Sequence, residues 1–252
     1  MNNPSFKHYP FSEGASELYD GSETKYPYKL HSLKGCGWFD LDEGSTYYFF
    51  VYSDAIWIND LPITKNMYGQ VTRSNSICFS SETTETEVII IEKIGEESPF
   101  LIGGPIEKEG RLKYIDGCTD SLLLPPTKYG MACLNHLHFP SNINQTPHTH
   151  PSVRVGIVAK GHGECVTPFG NIPLVPGQLF LILPEDGNSS IGIDGELHNN
   201  GTHCFRTFDE EMDVIAFHPD SDFGPKDEEH PMINMTIVDG TSAKFIDSIK
   251  TK

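Results

Sequence analysis

Backbone breakers constrain this chain more than any other feature. Its 252 residues include 23 glycines and 18 prolines, so few stretches are long enough for a helix. Proline removes a backbone donor and clashes with the preceding turn, and glycine weakens a helix interior. Between the breakers lie short runs rich in Val, Ile, Phe and Tyr, at residues 47–52, 88–92, 153–159, 178–183 and 212–218. Their length and β-branched content read as strands, and their number predicts a sandwich or barrel. Only residues 243–249 suggest a short helix. The chain is expected to be all-β.

Charge narrows the partners. The formal net charge is −17, which repels phosphate backbones and anionic lipid. Nucleic acid and membrane are therefore not expected as partners. Residues 1–21 hold no apolar run of signal-peptide length, and no stretch reaches the roughly 20 apolar residues of a membrane span. The six cysteines (Cys36, Cys78, Cys118, Cys133, Cys165, Cys204) form no CxxC pair and read as reduced thiols in a cytoplasmic setting. In that setting the sequons at Asn188, Asn200 and Asn234 reflect loop composition only.

The segment 94–114 carries Gly-Glu-Glu-Ser-Pro, Gly-Gly-Pro and then a charged stretch, which marks a joint. The expected units are residues 1–105 and 106–252. A faint echo links them. Residues 56–69 (IWINDLPITKNMYG) and 163–177 (GECVTPFGNIPLVPG) each read as strand, turn, apolar-Pro, then loop. The turns are expected at Asn59-Asp60 and Gly170-Asn171. The pattern is compatible with two copies of one β unit.

Nine of the eleven histidines follow the joint. For any single one, a core or turn-capping role is the ordinary explanation. His148-Thr149-His150 is different, because side chains two apart on a strand share a face. Neutral imidazole is also the commonest protein metal ligand.

Here the sequence resembles the cupin superfamily. Its first motif runs from Asn142, in place of a turn glycine, through His148 and His150 to Gly161. Asn is the other residue that tolerates left-handed backbone. The family's glutamate position is Arg154, the largest departure. For the second motif, Gly177 opens an apolar strand, Pro184 follows, and His203 begins the return. Residues 185–202 read as an insertion, and His198 within it rivals His203 as third ligand. The motifs span about residues 113–239, while residues 47–93 match by pattern only.

The resemblance implies two double-stranded β-helix (jelly-roll) barrels in tandem, the first degenerate and without metal. It implies a divalent transition metal on His148, His150 and His203, with Fe(II) favoured and Ni, Mn or Zn compatible. Some cupin dioxygenases have three histidines and no ligating glutamate. Arg154 then either pins a substrate anion or belongs to a buried ion pair turned from the metal. His136 and His138 share a strand face; if that strand lines the barrel they are donors behind the metal ligands or acid–base groups, and otherwise they face outward or fill the core. Arg206, by parity, points away from the site. The segment 217–231 reads as a solvated loop or a rim over the site. Three functions remain open: an Fe(II) dioxygenase acting on a small polar or anionic substrate, a non-redox metal enzyme (lyase, isomerase or hydrolase), and a ligand-binding barrel. A homodimer is expected from the resemblance.

Overall fold

In the computed structural model, residues 3–72, 76–79, 86–128, 130–220 and 237–247 are described. Strands dominate. Helical content among the described residues is limited to the single 3-10 turns Ile115–Gly117 and Ala243–Phe245. The helix expected over 243–249 is thus one turn, with residues 248 and 249 outside the described set. Each apolar run of the sequence lies in a strand: Ser45–Ser53, Thr86–Ile94, Arg154–Gly161, Leu179–Ile182 and Met212–His218.

Two jelly-roll barrels result. The first has a large sheet ordered Leu101–Gly103, Tyr68–Val71, Ser45–Ser53, Thr86–Ile94, Tyr28–Gly35, Gly14–Asp20. Its small sheet is Gly37–Asp40, Ser76–Phe79, Ala55–Ile58, Leu61–Thr64. The second barrel repeats the scheme. Its large sheet runs Phe6–Tyr9, Leu179–Ile182, Arg154–Gly161, Met212–His218, Cys133–Phe139, Thr119–Leu124, Leu112–Lys113. Its small sheet is Gly170–Leu174, Gly163–Thr167, Cys204–Arg206, extended by bridges from Asn144 to Arg206 and from His148 to His203.

Alternation along the strands builds three cores. Tyr47, Phe49 and Val51 point into the first barrel, where Ile56, Phe79 and Ile90 meet them. Val158, Phe180 and Val214 point into the second, with Phe139 and Phe205. The opposite faces of the two large sheets pack on each other: Tyr48, Phe50 and Ile91 from one, Val155, Leu181, Ile215 and Phe217 from the other. A sheet buried on both faces has no polar side, so its strands read as continuous apolar runs.

The edge strands are exchanged. Phe6–Tyr9 precedes the first barrel but pairs with Leu179–Ile182 of the second, with Phe6 opposite Ile182. Leu101–Gly103 precedes the second barrel but pairs with Tyr68–Val71 of the first. The switch between sheets falls in residues 104–111, at the joint, while the first strand crosses the expected division.

The echoed phrases are matching hairpins. Ala55–Ile58 and Leu61–Thr64 turn through Asn59 (φ 50) and Asp60 (φ 64), as a two-residue turn with left-handed centres requires. In the second copy the turn sits at Pro168-Phe169, and Gly170-Asn171 already starts the return strand Gly170–Leu174. The expected turn position there is corrected by two residues.

Candidate metal centre

Asn142 takes the left-handed conformation (φ 60) and Gly161 has φ +72. A Cβ on Gly161 would lie 1.8 Å from the carbonyl oxygen of Glu211, so no other residue fits there. From Asn142 the chain runs beside Cys204–Arg206. His148 N–H donates to His203 O at 2.9 Å, and His203 N–H donates back at 3.0 Å. His148 and His150 lie on an extended segment with a single bridge rather than in a full strand. The bridge sets the His148 and His203 rings 4.5 Å apart, and His150 sits 5.0 and 5.1 Å from them. One ring nitrogen from each lies within 4.8 Å of the others. It is the one such group of three among the described residues.

The rings are prepared as neutral donors. Nδ1 of His148 donates to Thr146 O (2.8 Å) and Nδ1 of His203 to Gly201 O (2.9 Å), leaving each Nε2 with its lone pair. Burial pushes His203 down to about 4. Burial, with the Arg154 charge second, pushes His150 down to about 2. Three imidazole nitrogens without a carboxylate suit Fe, Ni, Cu or Zn, so the residues present fit a transition-metal ion. His198, the rival, is turned away on the hairpin strand Leu197–Asn199, where Asp194 holds it at 2.8 Å.

The cluster opens onto a small cavity of about 20 Å³. Its apolar wall includes Phe139, Phe180, Phe205 and Val214, and its polar groups include Tyr114, Gln145, Arg154 and His218. Arg154 combines features of both expected roles. Its Nη1 donates to Ser152 and lies 3.5 Å from Asp220. Asp220 in turn accepts from the Ser152 hydroxyl. Arg154 Nε is buried without a hydrogen-bond partner. Burial lowers the guanidinium from its ordinary value, opposed by Asp220. The arginine therefore lines the cavity while one end is anchored by an ion pair.

His136 and His138 take the alternative that faces away from the cavity. Their strand Cys133–Phe139 does line the barrel, but with Leu137 and Phe139. The two histidines point to the opposite face and share one carboxylate oxygen of Asp213, at 2.9 and 2.8 Å. Burial would raise that carboxyl; the two histidine hydrogen bonds outweigh it and hold it below the usual range. Neither histidine reaches the cavity. Arg206 also faces outward, as expected, paired with Glu164 at 3.2 Å. Burial raises the Cys165 and Cys204 thiols, which keeps them protonated and unreactive. The proposed rim over residues 217–231 lies outside the described residues from 221 onward.

His218 is the functional candidate that sequence reading left unassigned. It shares its strand face with Val214 and Ala216, both cavity-lining. Burial, then Arg154, pushes it well below the ordinary imidazole value. Parity with those two residues was the available signal. Tyr114 and Gln145 come from irregular segments and carried none.

No protein-family model matches the chain, and no curated protein matches it by sequence. Solved structures match it in fold. A cupin 2 conserved barrel domain protein from Leptotrichia buccalis is 11% identical over 86% of this chain and 90% of its own, with TM-score 0.53. Salicylate 1,2-dioxygenase from Pseudoaminobacter salicylatoxidans is 9% identical over 81% and 75%, TM-score 0.56. Bacillus subtilis oxalate decarboxylase, a protein with Mn(II) centres, is 8% identical over 89% and 79%, TM-score 0.53. Each match spans most of this chain. The fold is that of the cupins, with two barrels in tandem.

Proposed function

We propose that the second barrel is a mononuclear metal enzyme, a three-histidine Fe(II) dioxygenase acting on a small carboxylate. The observation that carries this reading is the convergence of His148, His150 and His203 on the cavity that Arg154 also lines. The cavity beside the histidines is about 20 Å³, room for about one water, so a substrate that enters it must be small and must displace lining side chains. Arg154 has a buried Nε in need of an acceptor, and a carboxylate satisfies it with a charge-assisted bond. Ser152 and Asp220 hold the guanidinium in place for that contact. Tyr114, raised above its ordinary value by burial and then Asp120, is a proton donor at neutral pH. His218 is a neutral acceptor. When bound, iron supplies the coordination and reduction of dioxygen that the side chains themselves lack.

The second reading is non-redox, with the ion acting as a Lewis acid for a lyase, isomerase or hydrolase. Tyr114 and His218 favour it, since two proton-carrying groups beside one cavity suit general acid–base work. Metal analysis combined with oxygen-uptake measurements across small carboxylic acids separates the two. Iron with substrate-dependent uptake supports the dioxygenase. Turnover with manganese, nickel or zinc and no uptake supports the second reading. Protein that binds none of these metals when supplied with them contradicts both.

A further inference from the structure

The outer faces of the two small sheets occupy corresponding places but differ in chemistry. In the second barrel one row across the sheet is Pro173, Glu164, Arg206, Asn144. It is polar and carries the Glu164–Arg206 ion pair, as a solvated face ordinarily does. The matching row in the first barrel is Pro62, Trp57, Cys78, Trp38. These are the only two tryptophans in the chain, and both are in water: Trp38 is 68% and Trp57 37% exposed. Indole is among the costliest side chains to leave solvated and among the commonest at interface centres.

We propose that this face is where a second copy of the chain docks, about a twofold axis over Cys78. A twofold interface must be self-complementary, the same patch meeting itself. The sequence of the row supplies that property: Trp38 and Trp57 flank Cys78 symmetrically, one strand spacing (about 4.8 Å) to either side. Any twofold axis parallel to the face above Cys78 brings it against the partner's Cys78. With the axis along the strands, Trp38 stacks on the partner's Trp57 and the reverse.

Charge points to the same face. At −17 overall the molecule repels its own copy over most of its surface, whereas this row is uncharged. At roughly 250 Å² per indole, the exposed fractions leave about 250 Å² of tryptophan surface. A standard interface buries about 800 Å² per partner. The row is therefore the apolar centre, and the polar residues Asp40, Thr64 and Ser76, on the same strands, form the rim.

Light scattering on the full chain across a dilution series tests this. A dimer that dissociates on dilution is expected. Trp38→Lys and Trp57→Lys should each weaken association by roughly ten- to a hundredfold. The change at the 68% exposed Trp38 should do so with little change in the melting temperature of the dilute protein, whereas that at the half-covered Trp57 should also lower it. Leu197→Lys, at an equally exposed aliphatic elsewhere, should leave association unchanged. In a Cys36→Ser background a short bis-maleimide should link two chains through Cys78. Cys78→Ser should abolish that link and keep the dimer. A monomer at every concentration overturns the proposal, including one whose tryptophan fluorescence responds instead to a small aromatic or sugar ligand. So does a dimer that survives both lysine variants and gives no Cys78 link.

Discussion

The two barrels place different residues at matched positions of one scaffold, and the register makes the comparison exact to the residue. In the first, Phe49 sits opposite Gly69 on one side and Ile90 on the other. In the second, Gly156 sits opposite Phe180 and Ala216. Each barrel thus keeps one phenyl against one glycine, from opposite strands: a Cβ on Gly69 would meet Phe49 at 2.5 Å, and one on Gly156 would meet Phe180 at 2.6 Å. The net difference is an isoleucine against an alanine. One turn further along, Tyr47 opposite Glu92 corresponds to Arg154 opposite the position of His218. The packed core of the first barrel and the small cavity of the second differ by a few side chains, on backbones of the same design.

Removing the ligands should break the contrast most completely. A His148→Ala/His150→Ala variant should lose all bound metal by elemental analysis, since one remaining imidazole cannot hold the ion. Metal retained at the original ratio would move the site elsewhere. His203→Ala should lower affinity far more than His198→Ala, whose ring meets Asp194 and Phe169 away from the cluster.

The next contrast concerns volume. Ile90→Ala in the first barrel should cost about 2–5 kcal/mol in chemical denaturation and leave metal content unchanged. Its counterpart, Ala216→Ile, should overfill the small cavity of the second barrel, costing about 1–3 kcal/mol, and abolish turnover with metal still bound. Turnover unaffected by Ala216→Ile would show that substrate does not enter this cavity.

Arg154→Gln carries a smaller effect. Losing a charge-assisted contact costs on the order of 1.5–3 kcal/mol, so KM should rise roughly ten- to a hundredfold. The variant also leaves Asp220 without its cation, so a modest fall in Tm is expected alongside. An unchanged KM with a depressed Tm would leave the arginine a structural role only.

A contrast of another kind is the acid response of the metal-free protein. His203, at about 4, and His150, at about 2, bind protons less readily when folded than an ordinary imidazole at about 6.5 does when unfolded. Below pH about 6.5 the unfolded chain takes up protons that the folded chain refuses, so stability falls as pH drops toward 4 and further toward 2. Replacing His203 by Asn should flatten the Tm-against-pH curve between about 4 and 6.5. A curve of unchanged slope would contradict the buried, neutral state of that ring.

Much of this was legible in the sequence, for identifiable reasons. Asn142 and Gly161 announced the turns because few residues accept positive φ. His203 stood out over His198 because a strand-like segment follows it directly. The failures have causes too. Cys133–Phe139 is buried on both faces, so Leu134, Leu137 and Phe139 gave no alternation, and nothing told which parity carried His136 and His138 outward. Arg154 was placed beside the ligands by strand parity. Residues 151–153, however, are not strand, so the bridge to His203 and the position of the next strand, rather than alternation, bring it there. Asp220 and Tyr114 reach the site from outside the regular strands, where local pattern carries no information.

The exchanged edge strands have a consequence for how the protein is made. Phe6–Tyr9 is synthesised before the rest of either barrel, yet its pairing partner Leu179–Ile182 follows roughly 170 residues later, or about 10–35 s at ~5–20 residues per second. The first barrel waits far less, because Leu101–Gly103 emerges only about 30 residues after Tyr68–Val71. The first barrel can close during synthesis. The second receives its edge from the opposite end of the chain, so the half that carries the histidines matures last. Residues 106–252 produced alone would present Leu179–Ile182 as an open, apolar edge, the kind of strand that recruits other chains into aggregates.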